Sequence, residues 1–265
     1  MMQKSKRLQF IWCLYDWAHS VWPVIVITFV FPNYFTQQVA ESSLDGSIYW
    51  GHALTISGVL TALLAPITGV IADTLKNSTL WFRAFTLINI ICAYLIWFVM
   101  PDSSYILLSL SLVIVGTLTF ELSSAFYNSY LTDIAEPKDI SRVSGIGWGS
   151  GYAAGIVCLG LCLTTLVLPE KPMFGLISID HAQNIRATGI IVGTWYLVFA
   201  LPLLKVSFTK KNTSNIPLKT VIKMSYKQCI SAFEKSKNTP YIYHYLIIRM
   251  IYTDGINTLF AFAGI

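Results

Sequence analysis

Four ionisable residues stand inside long apolar runs of this 265-residue sequence: Asp16, Glu121, Arg249 and Asp254. An ionisable side chain in hydrocarbon costs at least about 2.5 kcal/mol on insertion scales, so it faces a cavity or a partner. Polar neighbours accompany three of them. Asp16, His19 and Ser20 fall at i, i+3 and i+4, which puts them on one helical face. Glu121, Ser124 and Asn128 share a face of another run, with Tyr127 beside it. Asp254, Asn257 and Thr258 repeat the spacing of the first set. The chemistry on offer is proton binding and hydrogen bonding to a small polar solute. Bond-making chemistry has no comparable signal: His19, His52, His181 and His244 lie in separate segments, with no Ser-His-Asp or metal-ligand set among them. The structural alternative is that Arg249 pairs with an acid and pins two helices together.

The elements that position these residues follow from composition. The chain is 55% hydrophobic and 12% charged, whereas soluble domains run at about 45–50% and about 25%. Too little polar surface remains for a soluble globule, so the expected solvent for much of the surface is lipid. Gaps between charges mark helices near 9–37, 49–72, 81–100, 104–128, 143–168, 187–204 and 241–265. The fold class is therefore all-α integral membrane, with six complete spans and a seventh that the chain does not finish. The N-terminal run is longer than a signal peptide, contains Asp16 and lacks a small-residue cleavage site, so it is expected to be retained.

With the N-terminus placed in the cytoplasm, fifteen of the eighteen Lys and Arg fall on the inner side. Two, Lys171 and Arg186, fall outside, and Arg249 lies within the seventh helix. This asymmetry sets the expected orientation and accounts for the +5 net charge without a nucleic-acid partner. Residues 1–204 read as a six-helix bundle, 205–240 as a basic cytoplasmic linker with an amphipathic stretch near 216–235, and 241–265 as the first helix of a second bundle. The linker's lysines suit anionic lipid headgroups. Four of the five cysteines lie in apolar runs, where a free thiol acts as a small hydrophobe, and no disulfide framework is implied. No cofactor or metal is expected.

Two further patterns concern architecture. Asp16-Trp17-Ala18-His19-Ser20 and Asp254-Gly255-Ile256-Asn257-Thr258 share one pattern, each closely follows a Tyr, and six spans separate them. Repeated six-helix halves would look like this. Gly147, Gly151 and Gly155 are spaced by four and form a small-residue ridge that admits a neighbouring helix closely. They are not a phosphate loop, since no strand precedes them and no Lys-Ser/Thr pair follows.

With these residues in view, the chain resembles the major facilitator superfamily, and within it the vacuolar amino-acid effluxers and their bacterial relatives. The resemblance rests on residues 12–20, 28–35, 125–135 continuing through 142–148, and 249–260. It implies a six-helix bundle plus an incomplete second bundle, twelve helices in a whole carrier, and secondary active transport of a small polar solute, an amino acid first, coupled to protons or another gradient. It also implies a substrate- or proton-binding set of Asp16, His19, Ser20, Glu121, Tyr127, Asn128, Arg249, Asp254 and Asn257, and no enzyme activity. The gating loop of that superfamily is represented by Gly69, Asp73 and Lys76, with its basic cluster reduced to Lys76 and Arg83 further on. Expected partners are membrane lipid, the solute, and a missing C-terminal half or a second copy. A bacterial inner membrane is the expected location. The alternative function is a non-transporting remnant or a membrane interaction module.

Overall fold

The structure, a computed structural model, describes residues 6–74, 78–208, 218–237 and 239–262. Lys76 lies outside these residues, and so do the side chains of Asp73 and Asn257. Every regular element among the described residues is helical. Among the described residues, six helices are long and apolar enough to cross a bilayer: α1 (Lys6–Val39), α2 (Ser43–Ala72), α3 (Ser78–Phe98), α4 (Ser103–Ile134), α5 (Ile140–Val167) and α6 (Asp180–Leu204). Helix α7 (Leu218–Lys237) falls where the amphipathic stretch is expected. Helix α8 (Pro240–Phe262) falls where the seventh helix is expected and is not among those six. Helices suit lipid because they satisfy their backbone polar groups internally.

Helix α1 carries two prolines, Pro23 and Pro32, which cannot donate to the ladder. The chain accommodates them by widening into π turns over Trp22–Phe29 and Phe35–Val39. Val30 N–H accordingly donates to Ile25 O at 3.1 Å, and Ala40 N–H to Phe35 O at 2.9 Å. Such π segments inside helices are frequent at functional sites. Helix α2 opens on a capping arrangement: Asp45 N–H donates to Ser42 Oγ at 3.1 Å, and Ser42 Oγ donates to the Asp45 carboxylate at 2.6 Å. Asp102 plays a similar part before α4, accepting from Ser104 N–H at 2.8 Å. These bonds from Ser104 hold the Asp102 carboxyl below its usual range.

Helix α1 packs on α5 and α6, α2 on α4, α3 on α4 and α6, and α7 on α2. The glycine ridge of α5 faces α1. A Cβ at Gly147 would lie 2.6 Å from Trp12 Cζ3, and one at Gly155 would lie 2.7 Å from Val24 Cγ2. Two apolar cores divide the helices along their length. One gathers Trp22, Phe35, Trp50, Ile96 and Cys158. The other gathers Tyr15, Phe82, Phe126, Tyr130 and Tyr196.

One charge sits differently from its sequence position. Arg186 was expected in an outer loop, but it lies in the early turns of α6 and is 6% exposed. Its Nε donates to Trp97 O at 2.8 Å, Nη2 donates to the same carbonyl, and Nη1 donates to His181 O at 3.4 Å. The guanidinium also lies 5.1 Å from the Trp97 ring centroid. The end of α3 leaves carbonyls without helical partners, and Arg186 occupies one. The helix therefore begins before this charge instead of after it.

Identical substitutions on α5 should have opposite signs. Gly155→Ala overpacks against Val24 and should destabilise the protein by about 1–3 kcal/mol. Gly149→Ala meets nothing within 4 Å and should gain about 0.5–1 kcal/mol of helix propensity. Denaturation midpoints of the detergent-solubilised chain would order them. Equal shifts would mean that α1 does not sit on the ridge. Arg186→Met leaves the Trp97 carbonyl without its cationic donor and should cost about 1–3 kcal/mol in the same measurement.

Candidate functional site

A cavity of about 2000 Å³ opens between α1, α2, α4 and α5, with α8 on its remaining side. Asp16, His19 and Ser20 line it from α1, as do Glu121, Tyr127 and Asn128 from α4, and Arg249 and Asp254 from α8. The sequence-predicted set is thus brought to one space, apart from Asn257, whose side chain is not described.

The α1 residues form a hydrogen-bonded chain across to α4. Ser20 Oγ donates to Asp16 Oδ1 at 3.3 Å. His19 Nδ1 lies 3.4 Å from the same oxygen, and its Nε2 lies 3.2 Å from Ser124 Oγ. Ser124 Oγ donates to the Phe120 carbonyl at 2.9 Å, so toward His19 it accepts. The network therefore assigns the Nε2 proton to His19. Asp16 and His19 thus stand side by side at the cavity wall. Both are buried, at 6% exposure each.

The order Asp16, His19, Ser124 is that of a hydrolase relay, and sequence spacing alone did not show it, because Ser124 comes from another helix. Ser124 stands mid-helix, where the surrounding backbone N–H groups are committed to the helical ladder and form no oxyanion hole.

Aromatic packing fixes these groups. The His19 ring stacks on Phe120 with centroids 4.8 Å apart and lies 5.1 Å from Tyr15. Tyr15 Oη bonds Thr86 Oγ1 at 2.9 Å and Tyr196 Oη at 3.0 Å, tying α1 to α3 and α6 behind the site. Trp12 stacks on Tyr127 at 4.2 Å and 10°, and its Nε1 donates to the Tyr127 carbonyl at 2.9 Å. The Tyr127 hydroxyl is buried without a hydrogen-bond partner among the described residues. The ridge glycines bear on the site directly. A Cβ at Gly151 would collide with Ser20 Oγ and lie 3.2 Å from Asp16 Oδ1, and one at Gly147 would lie 3.3 Å from Asp16 Oδ2.

The other charges are not neutralised in the same way. Among the described residues, Glu121, Arg249 and Asp254 make no ion pair. Arg249 donates to Tyr245 Oη at 3.4 Å on its own helix, which differs from the expected structural pin. Glu121, Asn128, Arg249 and Asp254 are exposed to the cavity. His52 of α2 also lines it. As a single polar residue in an apolar run it gave no spacing signal. Of the gating loop, Gly69 lies on α2 with open space where a Cβ would stand. Arg83 is engaged elsewhere, donating to Val206 O at 3.3 Å.

A family model described as Vacuole effluxer Atg22 like matches residues 49–140 and 132–265. A curated relative, Uncharacterized MFS-type transporter YxiO from Bacillus subtilis, is 25% identical over 262 residues. The match covers 98% of this chain and 60% of that protein, so the chain spans less than two thirds of its relative's length. No solved structure matches. The all-helical architecture with six membrane-length helices accords with a major facilitator superfamily fold. With a family match over residues 49–265 and one relative aligned along nearly the whole chain, this protein belongs to the Atg22-like vacuole effluxer family.

Proposed function

We propose that this protein acts as a secondary active transporter of a small polar solute, with amino acids the first candidates. The observation that carries the reading is the convergence on one cavity of a buried, adjacent Asp16 and His19 with three ionisable groups that make no ion pair among the described residues. Ionisable groups inside membrane segments mark solute and proton pathways. An amino acid is complementary to this lining. Its carboxylate suits Arg249, and its ammonium suits Glu121 or Asp254. The matched relative's description as an MFS-type transporter supports the same class.

In this mechanism Asp16 and His19 take up the coupling proton, and Ser124 orients the imidazole. Loss or gain of that proton changes the charge beside Gly147 and Gly151, where the Asp16 carboxylate lies against α5. The bundle then rocks against a second bundle that starts with α8 and closes the open side, a motion general to carriers built from repeats. That second bundle is supplied by further polypeptide or by another copy of the chain. The N-terminus and α7 lie in the cytoplasm, following the placement of Lys and Arg, and a bacterial inner membrane is the setting that short loops favour.

Transport in liposomes under an imposed pH gradient tests the assignment, using protein as isolated from its membrane. Asp16→Asn should lower proton-driven uptake by about a hundredfold or more, the scale of losing a positioned proton-transfer group. Unchanged uptake would remove Asp16 from the proton path. Arg249→Gln should raise the KM for the amino acid far more than it lowers kcat, as expected for lost solute binding. If wild-type protein moves neither protons nor amino acids, the carrier reading fails and an interaction module takes its place.

A further inference from the structure

Besides Tyr127, four residues that line the cavity carry a buried polar atom with no hydrogen bond among the described residues: Trp22 Nε1 of α1, Ser57 Oγ and Thr61 Oγ1 of α2, and Thr117 Oγ1 of α4. Trp22 and Ser57 are 0% and 1% exposed. A hydroxyl in the middle of a helix has a partner at hand, the carbonyl one turn earlier. Thr55 and Thr68 of α2 use it, donating at 2.8 and 2.7 Å, and so do Ser109 and Thr119 of α4, both at 2.8 Å. Ser57, Thr61 and Thr117 forgo that bond. A buried polar group left unpaired carries the full cost of its lost hydration, so these groups call for a partner. They belong to one stretch of the cavity wall. Ser57 and Thr61 are one turn apart on α2, and Thr117 is one turn from Glu121 on α4. As the second and fourth spans, α2 and α4 cross the bilayer in the same direction, and they pack together. Ser57 and Thr117 stand equally far from the starts of their spans, about 20 Å along the helix. Trp22 reaches α4 beside Thr117: a Cβ at Gly116 would lie 3.2 Å from Trp22 Cε2, the atom bonded to Nε1.

We propose that this stretch binds the uncharged hydrogen-bonding end of the solute's side chain, a carboxamide above all, so that glutamine is preferred to an apolar amino acid of the same size. The inference rests on the carrier reading and names the solute within it. The four groups combine an indole N–H, which only donates, with hydroxyls that accept as well as donate. A carboxamide matches both: its oxygen accepts from Trp22, and its NH2 group donates to the hydroxyl oxygens. None of the four is charged, so a carboxylate side chain meets no cation among them. Each hydroxyl reaches a bound side chain by one staggered turn about χ1, since none is tied to its own backbone. One helical turn, about 6 Å, separates Thr117 from Glu121, a partner for the solute's ammonium. A glutamine side chain spans that distance. Methionine, of similar length, leaves all four groups unpaired, and sites built to hydrogen-bond a solute reject the analogue that lacks the bonding group.

Isothermal titration calorimetry of the detergent-solubilised full chain with glutamine and with methionine reads the preference directly. Wild-type protein should bind glutamine about tenfold or more tightly than methionine. Ser57→Ala and Thr117→Val each remove one hydroxyl with little change in shape. Each should weaken glutamine binding about fivefold and leave methionine binding unchanged. Neither should lower the melting temperature, because neither hydroxyl has a partner in the fold to lose. Thr61→Val serves as the further variant if either change alters folding. Thr68→Val, at a hydroxyl bonded to its own helix and away from the cavity, should leave both affinities unchanged. Equal affinity for the two amino acids, or an unchanged preference in the Ser57→Ala/Thr117→Val double variant, would overturn this inference and leave the carrier reading standing. Loss of the preference in Thr68→Val would overturn it as well. Binding of neither amino acid would also overturn it, and uptake in liposomes then decides whether the carrier reading falls with it.

Discussion

Helix α5 presents backbone where other helices present side chains, at Gly147, Gly151 and Gly155. The α1 residues against it are Trp12, Asp16, Ser20 and Val24, also spaced by four. Rows of this spacing interlock when one helix supplies a groove and the other a ridge. In lipid, small residues make such contacts possible because close packing takes over the role that water's exclusion plays elsewhere. The same contact shapes the site. It presses the Asp16 carboxylate and the Ser20 hydroxyl against bare α5 backbone, so both polar groups turn toward each other and toward His19. A side chain on the ridge would displace the Asp16 carboxylate and the Ser20 hydroxyl.

Around that contact the bundle is stiffened on one face and left adaptable on the other. Behind the site, Tyr15 bonds Thr86 and Tyr196, and Trp12 stacks on Tyr127, so α1 is fixed to α3, α4 and α6. Beyond the site, Pro23 and Pro32 deny α1 a regular ladder, and the helix continues through wider turns. One element thus carries a rigid, aromatic-framed half with the titratable pair and a second half whose backbone bonds are already rearranged.

Charge placement made the spans legible. Long intervals without Lys, Arg, Asp or Glu are costly to explain in any other way, and the structure has a helix at each. Side-chain spacing also revealed which residues share a face, and the cavity collects those faces on α1 and α4. The same logic misplaced Arg186. It ends a helix at a charge, yet this charge is satisfied inside the protein by the carbonyl at the end of α3 and by the Trp97 ring. Periodicity registers that a residue is charged, not whether another helix end is there to receive it.

The sequence by itself determined the solvent, the number of apolar spans, the polar faces and the close-packing ridge. These are properties of a single helix, set by composition and by a repeat of about 3.6 residues. Only the tertiary structure decided which helix meets which. It seated α1 on the glycine ridge, brought Ser124 to His19, and gave Arg249 no acid among the described residues. Helix periodicity fixes where a side chain points around its own axis, and it carries no information on what stands opposite.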